Sequence, residues 1–315
     1  MSQLTDEAAA FGHEVIQALD DLNGLHPGYR PVHAKGVFLA GTFIPSRSAS
    51  SLTRAPHAQS ESTPVTVRFS DFAGFPTVAD NDPNVASPRG AGIRFRLGEH
   101  IHTDIVAHST DGFPVRTAEE FLEFLRALRA SGPDAPKPSP IEAFLGAHPK
   151  ALEFVQTPKP FPTSFAKESF FAVSALKFSN ADGVSRFGRV RVRPDGGGEY
   201  LDAAAAAAKS PDYLFDEIAE RVAKGPVKLH IMVQLAESGD IVDDATIHWP
   251  ADRPNVEFGT IALTSVIAAE DAEARKIIFD PIPRVDGIET SADPLFNRRA
   301  DVYLLSGRRR RAAGV

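Results

Sequence analysis

Residues 36–44 read GVFLAGTFI, a run of branched and aromatic side chains that is typical of a β-strand. Seven further runs share this composition and are separated by turn residues: VTVRFS (65–70), AGIRFRL (91–97), TDIVAHS (103–109), FFAVSALKFS (170–179), RFGRVRVRP (186–194), PVKLHIMVQLAE (226–237) and EFGTIALTSV (257–266). Eight such strands favour an antiparallel barrel, because a closed sheet leaves no edge unpaired. A barrel of this size holds one small ligand or presents it at its flank.

Helical patterns surround these strands. The predicted helices are an N-terminal one within residues 1–25, then 117–130, 140–154 and 202–224, and a final one over 293–311. Residues 74–88 are rich in Pro and Asp and predict a long loop. We therefore expect an α+β fold, an eight-stranded antiparallel β-barrel with flanking helices. No break in composition demands a second domain, so a single domain over residues 1–315 is predicted.

Composition narrows the classes of function. The chain has no Cys, which excludes disulfides, thiolate ligation of a metal and iron–sulfur clusters. A net charge of −7 predicts no general attraction to nucleic acid, and Arg308–Arg311 are interpreted as a solvated basic tail. The acidic, amphipathic N terminus does not resemble a signal peptide, and no stretch predicts a membrane span. We expect a cytoplasmic protein.

Two motifs at opposite ends of the chain carry candidate chemistry. RPVHAKG (30–36) places His33 just ahead of the first strand. RRADVY (298–303) places Arg299 and Tyr303 four residues apart, so on a helix they share one face. A tyrosine binds iron as a phenolate, and a guanidinium one turn away stabilises that negative charge.

Five segments in order resemble the haem catalase family: RPVHAKG (30–36), PVTVRFS (64–70), SPRGAGIRF (87–95), TDIVAHSTDGF (103–113), and FDPIPRVDGIETSADP (279–294) leading into RRADVY. The resemblance runs from about residue 30 to residue 310. The sequence is shorter than typical catalases and lacks their long N-terminal arm and C-terminal domain. It is therefore similar to the minimal, catalase-related peroxidase branch of the family.

The resemblance implies roles for individual residues. His33 matches the distal histidine, which acts as acid and base on the bound peroxide, and Ser70 matches the serine that orients it. Val32 matches the residue that packs over the haem face. Tyr303 matches the axial ligand of the iron, and Arg299 matches the arginine that holds the phenolate charge.

Further positions match residues that surround the haem. Arg30, Arg68 and Arg310 match basic residues at the propionates, where the planar guanidinium suits carboxylate recognition. Phe113 and Phe121 match pocket phenylalanines, one lying on the haem and one near its entrance. Taken singly, either phenylalanine would be interpreted as part of an ordinary core. The cofactor that this resemblance implies is haem b.

The sequence departs from the family at three positions. His108 stands where typical catalases have an asparagine, so we expect one N–H donor in place of two and a charge at mildly acid pH. Ser87 replaces the aspartate of the access channel, and Phe72 replaces a smaller channel residue. We therefore predict weak dismutation of hydrogen peroxide, and better turnover of organic hydroperoxides with a small electron donor.

Alternative interpretations stay open on the sequence alone. His100, His102 and His108 point to one side of an extended strand and could form a zinc or iron site. A haem enzyme of this kind could instead rearrange a lipid hydroperoxide, as allene oxide synthases of catalase descent do. The same barrel could also serve as a non-enzymatic haem or lipid carrier, although a carrier has no use for His33 and Ser70. We expect a homo-oligomer and favour a dimer.

Overall fold

The computed structural model describes residues 4–314. Within this range the helices are α1 (Asp6–Asn23), α2 (Ala49–Leu52), α3 (Pro56–Gln59), α4 (Ala118–Arg129), α5 (Pro140–Ala147), α6 (Pro149–Gln156), α7 (Ala203–Ala207), α8 (Tyr213–Lys224), α9 (Ala272–Arg275) and α10 (Leu295–Ala312). The strands are β1 (Gly36–Pro45), β2 (Thr63–Ser70), β3 (Gly90–Gly98), β4 (Ile101–His108), β5 (Phe161–Pro162), β6 (Phe170–Phe171), β7 (Leu176–Ser179), β8 (Ser185–Pro194), β9 (Tyr200–Leu201), β10 (Val227–Leu235), β11 (Asn255–Ile267) and β12 (Ile288–Thr290).

Eight of these strands close into a barrel. Strands β1, β2, β3, β4, β6, β8, β10 and β11 pair in this order, and β11 returns to β1. Every pairing is antiparallel, which confirms the predicted barrel. Strands β7 and β12 extend the sheet beside β8, and β5 pairs with β9 in a separate ribbon.

The barrel interior is filled by its own side chains. Its fully buried members include Leu39, Phe43, Val67, Phe69, Ile93, Phe95, Phe170, Val192, Leu229, Ile231 and Ile261. Inward-facing residues alternate along each strand, as the period of a β-strand requires. Because this core is closely packed, a ligand of the size of a porphyrin would have to bind at the flank of the barrel rather than inside it.

Prolines divide two of the predicted helices. The segment 140–154 forms α5 and α6 with a break at His148, because Pro149 has no N–H with which to continue the ladder. The segment 202–224 likewise forms α7 and α8 on either side of Pro211. The predicted fifth strand, 170–179, is also divided, into β6 and β7.

The two terminal helices pack against each other and flank the barrel. Helix α1 begins as predicted, with the Thr5 hydroxyl accepting the N–H of Ala8 at 3.2 Å, and Gly24 ends it with a φ of 80°. Helix α10 begins at Leu295 rather than at 293: Pro294 is its N-cap residue, and in the turn before it the Asp293 carboxylate accepts the Leu295 N–H at 2.9 Å. No helix within residues 4–314 is long and apolar enough to cross a membrane.

Candidate active site

The site forms where strand ends meet on one side of the barrel. Strand register aligns Gly36 with Ser70, Ser70 with Gly90, and Gly90 with His108. These four residues therefore form one row across β1 to β4, although the sequence spreads them over more than seventy positions. His33 lies three residues before β1 and reaches the same row.

His33 is held in an uncommon backbone conformation. Its φ is 58°, in the left-handed region that costs a residue with a side chain roughly 1–2 kcal/mol. Two hydrogen bonds from this turn to the loop after β2 hold it there: the His33 N–H donates to the Phe72 carbonyl at 2.7 Å, and the Ala34 N–H to the Ala73 carbonyl at 2.9 Å. Strain of this kind persists where the surroundings determine the conformation, and it is common at functional sites.

The contacts of the His33 ring assign its tautomer. Its Nδ1 lies 3.0 Å from the Asp71 carbonyl and 3.1 Å from the Ser70 hydroxyl. Because a carbonyl only accepts, Nδ1 carries the hydrogen and Nε2 is left as a proton acceptor. Burial, followed by the charge of Arg68, lowers the pKa of His33 to about 3, while the bond to Asp71 opposes this shift. The ring is therefore a neutral base.

His108 has the opposite tautomer. The Thr110 N–H donates to His108 Nδ1 at 3.3 Å, so Nε2 bears the hydrogen and acts as a donor. Burial lowers the pKa of His108 to about 3, and the charges of Arg299 and Lys159 contribute to the shift. The expectation that His108 charges at mildly acid pH is therefore wrong, because burial disfavours the imidazolium. His108 presents one neutral N–H donor.

Three guanidiniums gather beside His33. Arg30 and Arg310 donate to the same carbonyl, that of Ile277, at 3.0 and 3.2 Å. Arg68 donates to the His33 carbonyl at 2.9 Å, and both Arg30 and Arg68 lie over the ring of Phe38, at 5.9 and 5.6 Å from its centroid. The three predicted propionate-binding arginines thus lie together in the structure. The interpretation of Arg308–Arg311 as a solvated tail is wrong, because these residues belong to α10 and Arg310 is buried.

This arginine cluster of Arg30, Arg68 and Arg310 lacks a negative partner. Within residues 4–314 no carboxylate forms an ion pair with any of the three, and Nε of both Arg68 and Arg310 is buried without a hydrogen bond. Burial lowers the pKa of Arg68 to about 9 and that of Arg310 to about 10, and burial with repulsion from the other two lowers the pKa of Arg30. Such a cluster fits a ligand with two carboxylates, as a porphyrin has.

Arg299 and Tyr303 occupy one face of α10, as predicted. The Arg299 guanidinium donates to the Tyr303 hydroxyl at 3.3 Å and lies 5.7 Å from its ring centroid. Both side chains are half-buried. Arg299 lines a small cavity together with Val106, so α10 packs beside the strand that ends at His108.

The predicted apolar residues lie between α1, α4 and α10. Val32 and Phe121 pack on the same cluster of side chains as Val302, the neighbour of Tyr303 in the chain. Phe113 contacts Phe121, with 5.3 Å between ring centroids. All four are half-buried, which leaves part of each available to a ligand.

The alternative metal site of three histidines does not form. His100 lies in the turn between β3 and β4 with 94% of its side chain exposed, and His108 is at the far end of β4. From His102 to His108 the strand rises about 20 Å, too far for one ion. Among the residues that the structure describes, no group of three His, Cys, Asp or Glu could hold a metal.

Several contributors to the site were not predicted. The carbonyl of Asp71 and the N–H of Thr110 determine the two tautomers, but any residue supplies such backbone groups. Phe154 lies edge-on to His108 at 6.4 Å, and Lys159 holds it there by donating to the Phe154 carbonyl at 3.0 Å. No local signal links residues some fifty positions apart, because only the packing of α6 brings them together.

Comparison with known proteins agrees with this geometry. A family profile described as Catalase matches residues 9–314. The chain belongs to the catalase family. A catalase-related peroxidase from Mycolicibacterium paratuberculosis is 33% identical over 296 residues, covering 93% of this chain and 92% of that one. Another catalase-related peroxidase, from Synechococcus elongatus, is 33% identical over 298 residues, covering 93% and 86%. The solved structure of catalase A from Saccharomyces cerevisiae shares the fold, with a TM-score of 0.79 at 23% identity over 94% of this chain and 64% of that one.

Membership of the catalase family implies haem, and the residues present fit it. The arginine cluster would hold the propionates. Its guanidiniums are buried, and two of their Nε atoms form no hydrogen bond among the described residues, so an anionic ligand would stabilise them. Tyr303, with Arg299 bonded to its hydroxyl, would be the axial ligand of the iron.

Gly90 tests how closely the row is packed. A Cβ at this position would lie 2.6 Å from the Ser70 hydroxyl and 2.8 Å from His33 Nδ1, so Gly90→Ala must displace the histidine. We expect peroxide turnover to fall by about 10- to 100-fold, the usual effect of a small misplacement of a reacting group. Steady-state kinetics measure this, with Gly132→Ala as the control because its Cβ would meet no atom within 4 Å. Equal rates for both variants would contradict the assigned position of His33.

Proposed function

We propose that this member of the catalase family is a haem b peroxidase with weak catalase activity. It reduces hydrogen peroxide or organic hydroperoxides, and a small organic molecule supplies the electrons. One observation carries the proposal: His33 Nδ1–H donates to the Asp71 carbonyl, so an uncharged Nε2 is available as a base. The two relatives named catalase-related peroxidase support it.

The two histidines divide the proton chemistry between them. His33 Nε2 takes the proton from the oxygen of the peroxide that binds, and returns it to the oxygen that leaves. His108 Nε2–H donates a hydrogen bond that orients and polarises the peroxide. Ser70, at 3.1 Å from His33 Nδ1, keeps the ring in this orientation. When bound, haem supplies the redox chemistry that links the peroxide to the electron donor.

The tyrosine side of the site controls charge. Arg299 stabilises the phenolate of Tyr303 by its hydrogen bond at 3.3 Å. The arginine cluster would hold the two propionates of the haem, beside His33. Phe72, whose ring meets that of His33 edge-on at 5.5 Å, makes the approach apolar. An apolar approach favours organic hydroperoxides over hydrogen peroxide.

His108→Asn tests the predicted balance of activities. Asparagine restores an amide with two donors in place of one N–H, so we expect oxygen evolution from hydrogen peroxide to rise relative to donor oxidation. A gain of about 10-fold in this ratio would correspond to about 1.4 kcal/mol in the barrier. Oxygen evolution and donor oxidation are measured side by side on both proteins. Vigorous oxygen evolution by the unaltered protein, without donor oxidation, would contradict the proposal.

Product analysis separates the peroxidase from a rearranging enzyme. With a lipid hydroperoxide and a donor, a peroxidase releases the corresponding alcohol and oxidises the donor. A rearranging enzyme consumes the hydroperoxide without a donor and releases an isomerised product. A haem or lipid carrier consumes neither the hydroperoxide nor the donor. In a carrier, the neutral base at His33 would serve no purpose.

A cytoplasmic location and a homodimer complete the proposal. The location is proposed from the composition of the chain, which has a net charge of −7 and no Cys to form disulfides. The dimer is proposed because two-fold dimers are by far the commonest symmetric assemblies. Light scattering of the purified protein measures the assembly, and a tetramer would overturn this part of the proposal.

A further inference from the structure

A fully buried ion pair lies next to the two histidines and has no role in the chemistry above. The Arg89 guanidinium contacts the Asp71 carboxylate, and both side chains are completely inaccessible to solvent. Arg89 also donates to the carbonyls of Ala86, at 2.9 Å, and of Asp80. Burying two charges is costly: burial raises the pKa of the Asp71 carboxyl to about 8, although the Arg89 guanidinium opposes this shift, and apolar residues of similar volume often serve a fold equally well. Packing alone therefore does not explain why an ion pair is buried at this position.

Asp71 connects this pair to His33. The backbone carbonyl of Asp71 is the acceptor that assigns the His33 tautomer, at 3.0 Å from Nδ1. The next residue, Phe72, accepts the His33 N–H through its carbonyl and donates its own N–H to Ala86 at 3.0 Å. The short segment after β2 is thus enclosed between the His33 turn and the residues before β3. The ion pair between Asp71 and Arg89 is the side-chain contact that joins this segment to the residue just before β3.

Arg89 connects the same pair to His108. Its backbone N–H donates to the Ser109 hydroxyl at 2.8 Å, and its carbonyl accepts the Ser109 N–H at 2.9 Å. Ser109 directly follows His108. Arg89 is therefore bonded both to Asp71, in the segment that holds His33, and to Ser109, in the segment that carries His108.

We propose that Asp71 and Arg89 are positioning residues that hold His33 and His108 in register with each other. The inference rests on the proposed function, because it concerns the two histidines that act on the peroxide. The ion pair keeps the Asp71 carbonyl in front of His33 Nδ1, which keeps Nε2 free as the base. It also fixes the distance between that base and the donor on His108.

Asp71→Asn in the haem-loaded protein is the test. Asparagine has nearly the same shape but no charge, so the bond to Arg89 weakens while the backbone carbonyl remains. Cyanide association, followed by absorption, is the first readout, because hydrogen cyanide must give its proton to a base near the iron. We expect both this rate and kcat to fall by about 10-fold, as for other outer partners of a site, with KM little changed. Asp240→Asn is the matched control, since Asp240 forms a two-pronged ion pair with Arg253 away from the site.

A purely structural role predicts a different result. In that case Asp71→Asn would unfold at a lower temperature but keep normal cyanide association and kcat, as we expect of Asp240→Asn, and the inference would be overturned. If Asp71→Asn does not fold, the double variant Asp71→Asn with Arg89→Gln removes both charges and keeps a hydrogen bond. Slowed cyanide association in the double variant supports the inference, and the unaltered rate overturns it.

The two proposals fail in distinguishable ways. If the unaltered protein binds haem and cyanide but turns over no peroxide, the proposed function is wrong. The cyanide rates of the Asp71 variants still judge the positioning role in that case. If the unaltered protein is an active peroxidase and Asp71→Asn matches it in every rate, only the positioning role is wrong.

Discussion

Tyr303→Phe is expected to abolish haem retention and peroxide turnover together. The phenyl ring offers no oxygen to the iron, and the Arg299 guanidinium loses the hydroxyl to which it donates at 3.3 Å. Loss of an outer partner already costs about 10- to 100-fold in metal affinity, and loss of the ligand itself should cost at least as much. Haem content per chain and the absorption spectrum of the purified variant measure the effect.

Tyr213→Phe is the matched control for this substitution. The Tyr213 hydroxyl donates to the Pro162 carbonyl at 2.8 Å inside the protein, so its removal costs stability of about 1 kcal/mol. It should leave haem content unchanged, because Tyr213 packs in the barrel core and bonds to Pro162 rather than to the arginine cluster or α10. If Tyr303→Phe retained haem with the spectrum of the unaltered protein, the assignment of the axial ligand would be wrong.

His33→Asn is expected to lower peroxide turnover by about 10²- to 10⁴-fold, the usual contribution of a general acid–base group. Haem content should stay the same, since the arginine cluster and Tyr303 are untouched. Asparagine is chosen because it tolerates the left-handed backbone, where His33 has a φ of 58°. His100→Asn is the control: His100 has a φ of 61° but is exposed, so its replacement should not affect turnover.

The pH profile of the unaltered protein provides a second check on His33. The unprotonated ring is the active form, and burial lowers its pKa to about 3. Turnover should therefore change little between pH 5 and 8 and decline only as the pH approaches 3. The same shift affects folding: an unfolded histidine binds a proton near pH 6.5, so stability should decrease as the pH falls from about 6.5 towards 3. A loss of activity with a midpoint near 6.5 would show that His33 is not buried as described.

The barrel could be predicted because its signals are local. Each strand carries its own branched and aromatic residues, and each turn its own Gly, Asn or Asp, so eight strands were identified one by one. The errors lay at boundaries: Pro149 divides one predicted helix, and another begins at Leu295 rather than at 293. In each case one or two residues set the boundary. A hydrophobic period is read over many residues and does not show such a local effect.

The site could be predicted only as a set of residues. Motifs and their order identified His33, Ser70, Arg299 and Tyr303 as candidates, and the structure places His33 beside Ser70 and Arg299 beside Tyr303. The protonation of His108 could not be predicted, because its pKa depends on burial and on which atom donates to Nδ1. The same is true of Asp71, whose contribution is a backbone carbonyl that every residue possesses.

The sequence by itself determined the barrel, the order of its strands along the chain and the identity of the groups that can move a proton or ligate iron. These follow from side-chain chemistry and from the repeat of side-chain direction, every two residues in a strand and every 3.6 in a helix. Both are properties of residues close together in the chain. Only the tertiary structure decided which nitrogen of His33 and of His108 carries a hydrogen, which three arginines gather without a carboxylate partner among residues 4–314, and how one buried ion pair reaches two histidines. Such features depend on burial and on contacts between distant segments, and desolvation and hydrogen bonding act only once those segments are packed together.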